Sequence, residues 1–129
     1  LAPHGKIYGI PFSAATSPLV IDPATNTAST FGAVAGVGLP WSGGVLAPNG
    51  KIYGIPENAT SVLLIDPSTN TSTTFGTTPG TADWIGGTLA PNGKIYGIPY
   101  SAANVLVIDT KSVGSFCTPM LMSGYLNKY

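Results

Sequence analysis

The chain has 129 residues, 43% of them hydrophobic, which is enough for one domain with a real core and too many for a disordered segment. Only 8% are charged, five lysines against five acids with no arginine and a net charge of zero, so the basic face that nucleic acid or an anionic membrane surface requires is missing. No apolar run approaches the roughly 20 residues of a bilayer-spanning helix, and the single cysteine, Cys117, excludes an internal disulfide and paired-cysteine zinc sites.

The sequence is dominated by repetition. Leu46 to Pro56 reads LAPNGKIYGIP, recurs unchanged at Leu89 to Pro99, and appears at Leu1 to Pro11 with only His4 in place of the asparagine. The copies start 45 and then 43 residues apart, which divides one domain, 1–129, into repeats 1–45, 46–88 and 89–129. That period suits a four-stranded propeller blade.

Within a unit, taken in chain order through the second copy, turn chemistry cuts the chain into short strands. Pro48-Asn49-Gly50 predicts a tight turn, with glycine taking the left-handed position of a bulged hairpin. A strand over Lys51 to Pro56 follows, then one over Ser61 to Asp66 whose Val62-Leu63-Leu64-Ile65 run is apolar without alternation and therefore buried on both faces. Asp66-Pro67-Ser68-Thr69-Asn70 predicts a second turn, in which Asn70 tolerates a left-handed backbone. Thr71 to Phe75 predicts an outer edge strand, wetted through its threonines and pinned by Phe75. Trp84-Ile85-Gly86-Gly87 then leads into the innermost strand of the next unit, as Trp41 does before it. Gly9, Gly54 and Gly97, at one point of the second strand, are read as places where an adjacent blade approaches closely.

Such units, apolar on both faces, predict an all-β protein: a β-propeller with three four-stranded antiparallel blades per chain. The sequence LAPNGKIYGIP, then VLLIDPSTNT, then TTFG and a tryptophan, resembles the blades of YVTN-type and streptogramin-lyase-like β-propellers over nearly the whole chain. Closed propellers use about 4 to 8 blades, so three leave two apolar faces open. Either two chains meet as a homodimer in a six-bladed ring or the units belong to a longer chain. The tail, Met122 to Leu126, resembles the lead-in to an inner strand, and residues 120 to 126 are expected to pair with the first blade of the partner.

Several recurrent residues carry candidate chemistry. Trp41 and Trp84 would be ligand-binding platforms, since aromatic rings stack on sugars, or else wedges between blades. Lys6, Lys51 and Lys94 would hold an anionic ligand or lie solvated. Asp22, Asp66 and Asp109 would form a carboxylate ring for calcium or magnesium, or cap their turns; the turn reading is favoured, and no metal site is assigned. Tyr8, Tyr53 and Tyr96 are expected to pack between blades with the hydroxyl at the rim.

His4 is read as a turn substitution, and Cys117 as a small hydrophobe in the last fourth strand. Asn58-Ala59-Thr60 and Asn70-Thr71-Ser72 are glycosylation sequons, in keeping with an extracellular or cell-surface protein. Near-identical copies lack the asymmetric set of groups that catalysis needs. They predict a self-assembling, non-enzymatic structural or ligand-binding module, with carbohydrate or protein as ligand, no catalytic residue and no cofactor. The resemblance implies the alternative of a metal-dependent lyase or lactonase, although streptogramin lyases use more than one histidine and this chain has one. An architectural repeat of a larger surface assembly is the third reading. Recognition would fall to segments 12–18, 32–42, 57–61, 76–85 and 100–104.

Overall fold

A computed structural model of the chain describes residues 1–12, 15–34, 41–79 and 83–111, and the backbone of 116–121. All eleven elements among the described residues are strands: β1 Ile7–Gly9, β2 Leu19–Asp22, β3 Thr27–Thr30, β4 Trp41–Leu46, β5 Ile52–Pro56, β6 Val62–Asp66, β7 Thr71–Phe75, β8 Trp84–Leu89, β9 Lys94–Pro99, β10 Asn104–Asp109 and β11 Phe116–Leu121. They form three separate antiparallel meanders, β1-β2-β3, β4-β5-β6-β7 and β8-β9-β10-β11, none closed on itself. No helix among the described residues is long and apolar enough to cross a membrane.

The turns have the chemistry read from the sequence. Gly5, Gly50 and Gly93 are left-handed, with φ of 89°, 79° and 81°, and Asn26 and Asn70 take φ of 53° and 50° at the end of the second turn. The structural unit, however, is offset from the repeat by one strand. Each tryptophan is the first residue of a sheet rather than a lead-in, and LAPNGK is, as its turn residues predict, the hairpin between the first and second strands. The first sheet therefore has three strands, not the four expected, and β1 is bonded on one side only. Met120 and Leu121 pair with Val105 and Asn104 in the third sheet, so they end a fourth strand instead of starting the closing strand expected over 120 to 126. Residues 122–126 lie outside the described residues.

The sheets stack face to face, and the period of two along each strand shares the apolar residues between two cores. Between the first and second sheets, Tyr8, Val20, Ile10 and Phe31 meet Ile52, Leu63 and Ile65 with Trp41. Between the second and third, Tyr53, Ile55, Val62 and Phe75 meet Ile95, Leu106 and Ile108 with Trp84. The middle sheet is buried on both faces, as the unbroken VLLI run requires; Val62, Leu63 and Ile65 are all at 0% exposure. The fourth strand β7 is largely wet, and Phe75 anchors it edge-on against Tyr53 at 6.0 Å, as Phe31 does against Tyr8 at 5.7 Å.

One contact sets the spacing. The paired glycines before the second and third LAP divide two tasks: Gly43 and Gly86 adopt φ of 73° and 63° in a bulge, and Gly44 and Gly87 lie beneath an isoleucine of the preceding sheet. A Cβ at Gly44 would lie 2.7 Å from Ile10 Cδ1, and one at Gly87 2.9 Å from Ile55 Cδ1. The glycines expected to admit the neighbouring blade, Gly9, Gly54 and Gly97, are crowded first by the cross-strand Leu19, Leu63 and Leu106 of their own sheets. Sheets two and three come together along β4, β5 and β8, near their first strands.

Candidate functional site

Both turns of every unit fall on one edge of the stack. The first is closed by Gly50 N–H on Ala47 O at 2.9 Å and Ala47 N–H on Lys51 O at 2.9 Å, repeated at Ala2 to Lys6 and Ala90 to Lys94. The second is closed by its aspartate, whose Oδ1 accepts the backbone N–H two residues on: Ala24 to Asp22, Ser68 to Asp66 and Lys111 to Asp109, each at 3.0 Å. These aspartates thus act as turn caps in three different sheets. Among the described residues no three His, Cys, Asp or Glu converge on a metal position.

The lysines and aspartates, separate candidates in the sequence, prove to be partners. Lys6 lies 3.4 Å from Asp22, Lys51 3.4 Å from Asp66 and Lys94 3.6 Å from Asp109, each pair spanning adjacent strands of one sheet. The ammonium groups are already neutralised and half-exposed, so each contributes little to stability. Asp66 also accepts the Ser68 hydroxyl at 2.6 Å, which holds its carboxyl below the usual carboxylate range, with Lys51 adding to the effect.

The residue at the fourth position of LAPxGK links neighbouring sheets. Asn49 accepts Lys51 N–H on Oδ1 at 3.0 Å and donates from Nδ2 to Thr110 O of the third sheet at 3.0 Å and to the Tyr53 hydroxyl at 2.9 Å. His4 performs the same task in the first unit. Its Nδ1 accepts Lys6 N–H at 3.4 Å, which assigns the proton to Nε2, and Nε2 donates to Pro67 O at 3.1 Å. A histidine replaces asparagine here because an acceptor and a donor nitrogen reproduce the carboxamide's two roles. Tyr8 donates its one hydroxyl proton to Asn70 Oδ1 at 2.6 Å, with Pro67 O a second, longer acceptor position at 3.2 Å. Burial raises the Tyr8 phenol above its ordinary value, and the Asp66 charge raises it further.

Around these groups opens a shallow cleft of about 390 Å³, lined by Pro3, His4, Asn49, Gly50, Lys51, Asp66, Pro67 and Ser68. Both ring nitrogens of His4 are engaged, and the side chain links the first turn to Pro67 of the second sheet. The Lys51–Asp66 pair between two prolines offers a donor and an acceptor to an incoming hydroxyl group.

The tryptophans lie elsewhere. Trp41 is 4% exposed and Trp84 1%, each donating its indole N–H to a carbonyl of its own sheet, Ser61 at 2.8 Å and Asn104 at 2.7 Å. They are buried wedges between sheets, the core role that the sequence reading set beside a ligand platform. Asn58 is half-buried in the loop after β5, and Asn70 is exposed but uses its Oδ1 on Tyr8. Cys117 is on β11 opposite Ile108, in a fourth strand as expected. Of the segments expected to carry recognition, 13–14, 35–40 and 80–82 lie outside the described residues. No family model matches this chain, and a search of characterised proteins returns no match.

Proposed function

We propose that this chain is a run of β-propeller blades that works as a non-enzymatic, self-assembling module at the cell surface or outside the cell, two copies completing a six-bladed ring. The observation that carries the reading is one sheet-to-sheet contact made twice within the chain, Ile10 over Gly44 and Ile55 over Gly87. A stack built from a repeated contact has unsatisfied faces at both ends until it closes on itself or on another copy. Approach of the sheets along their first strands supports a radial arrangement about an axis. The kinship with YVTN-type and streptogramin-lyase-like propellers rests on the blade motif.

The ligand class that fits is a neutral carbohydrate, bound along the turn edge through the Lys51–Asp66 pair and its equivalents. Charge-neutral donor and acceptor pairs match hydroxyl groups without selecting for ionic ligands. Native mass spectrometry tests the assembly: a mass of about twice the 13.1 kDa chain is expected, and a single chain at every concentration tried overturns it. Titration with a panel of neutral oligosaccharides tests the ligand, with binding expected to weaken in Lys51→Ala; a panel without a binder removes that part.

A further inference from the structure

The two ends of the stack expose counterparts of residues that its interior buries between sheets. Ile98 is the third member of the series Ile10, Ile55, Ile98 at the tenth position of the repeated motif. Ile55 is at 0% exposure under the third sheet, whereas Ile98, on the outer face of that sheet, is 53% exposed. Asn92 follows the same logic. It accepts Lys94 N–H at 2.9 Å and donates to the Tyr96 hydroxyl at 3.0 Å, as Asn49 does toward Lys51 and Tyr53, but the onward bond that Asn49 makes to Thr110 O has no counterpart for Asn92 among the described residues.

The opposite end presents part of the receiving face, without a counterpart of Gly44 and Gly87 among the described residues. Ile7, Leu19 and Ile21 of the first sheet stand where Ile52, Leu63 and Ile65 of the second receive the first, yet Ile7 is 40% exposed and the other two are half-buried. Gly9 corresponds to Gly54, whose Cβ position lies 3.4 Å from Ile10 Cγ2 of the preceding sheet. The adjoining turn also matches: Asp22-Pro23-Ala24-Thr25-Asn26 reproduces Asp66-Pro67-Ser68-Thr69-Asn70, down to the left-handed asparagine.

We infer that the outer face of the third sheet docks on the outer face of the first sheet of a second copy, with Ile98 seated over Gly9 and Asn92 donating to the Pro23 carbonyl. This rests on the two-copy reading and specifies its junction. The occupant is a second copy because the junction continues the link made twice within the chain, His4 to Pro67 O and Asn49 to Thr110 O, and sets an apolar knob on a floor like the one Ile10 meets at Gly54. The net charge of zero leaves no long-range repulsion between copies. Two such junctions, related by a two-fold axis, close the ring; each joins unlike faces, so neither face pairs with itself.

The test compares the full chain with Ile98→Asp, Asn92→Asp and Ile98→Val by native mass spectrometry and analytical ultracentrifugation across a dilution series. Circular dichroism verifies the fold of each variant. Both disruptive substitutions fall on residues exposed in the single chain, so they leave its cores intact. Ile98→Asp is expected to weaken the dissociation constant of the two-copy form roughly 100-fold, since it loses apolar burial and desolvates a carboxylate. Asn92→Asp is expected to weaken it roughly tenfold by replacing a donor with an acceptor. Ile98→Val retains the two-copy form. If the parent chain forms pairs and Ile98→Asp and Asn92→Asp pair equally well, this junction is wrong while the two-copy reading stands. A parent chain that never pairs overturns both.

Discussion

Substitution of Gly87 by alanine probes the register of the second sheet on the third. The added Cβ would lie 2.9 Å from Ile55 Cδ1, 3.2 Å from Ile55 Cγ1 and 3.1 Å from the Tyr96 carbonyl oxygen, well inside the 3.5–4.0 Å of ordinary contact. The carbonyl belongs to β9, paired with Thr88, and cannot withdraw without disturbing the sheet. Ile55 must move instead, and at 0% exposure it has nowhere to go. Overpacking of this kind costs about 1–3 kcal/mol. Ile55→Val alone removes the Cδ1 methyl and costs about 1 kcal/mol. Combined with Gly87→Ala it also removes the atom that the new methyl strikes, so the double variant should lose about 1 kcal/mol less than the sum of the singles. Urea unfolding of all four proteins at one fixed concentration reads the cycle, provided the slope with denaturant is unchanged. Additivity within about 0.3 kcal/mol, or a neutral Gly87→Ala, would show that Ile55 does not sit over Gly87.

Trp84→Phe is expected to cost about 2–3 kcal/mol, through lost core volume and the lost indole bond to Asn104; Trp41→Phe, placed equivalently, should agree within about 1 kcal/mol by the same unfolding assay. Tyr8→Phe should cost about 1 kcal/mol at neutral pH by removing the bond to Asn70. Because burial raises the Tyr8 phenol, its contribution is intact below about pH 10 and falls as pH climbs past the ordinary phenol value, so the variant should flatten the alkaline limb of stability against pH. Asp66 has the opposite sign. With its carboxyl held low by Ser68, its contribution is present above the ordinary carboxylate value of about 4 and disappears as pH falls through the depressed one. Ser68→Ala should therefore flatten the acid limb in an acid-unfolding titration, and an unchanged limb would remove Ser68 from the cause.

The sequence made the strands legible because each unit is punctuated by residues with one conformational meaning. Pro48-Asn49-Gly50 and Asp66 to Asn70 became the turns read from them, and Val62 to Ile65 was buried on both faces. The hairpin at LAPNGK was legible from its turn residues, whereas the start of the inner strand was placed late, because that strand begins five residues earlier at the tryptophan. Single residues at the interface were harder to read. Ile10 and Ile55 look like any strand isoleucine until a glycine of the next sheet is found beneath them, and that pairing spans sequence separations no local pattern encodes. The lysines and aspartates were each visible as recurring positions, but their pairing follows from strand register. His4 seemed an exception to the motif; the structure gives it the asparagine's two hydrogen-bonding roles. The tryptophans were open to either reading from sequence, since an aromatic before an inner strand can face a channel or a core.

The repeated seating of an isoleucine over the glycine of the next sheet is the contact that sets the stack. Nuclear Overhauser spectroscopy on protein labelled at the isoleucine δ1 methyls observes it without mutation. Cross-peaks are expected from the Ile10 methyl to the Gly44 Hα protons and from the Ile55 methyl to those of Gly87, both within a chain. In a mixture of differently labelled copies, a third cross-peak is expected from Ile98 to Gly9 of the other copy. Absence of the first two would mean that the three sheets do not stack in this register, and the junction inferred from it would fall with them.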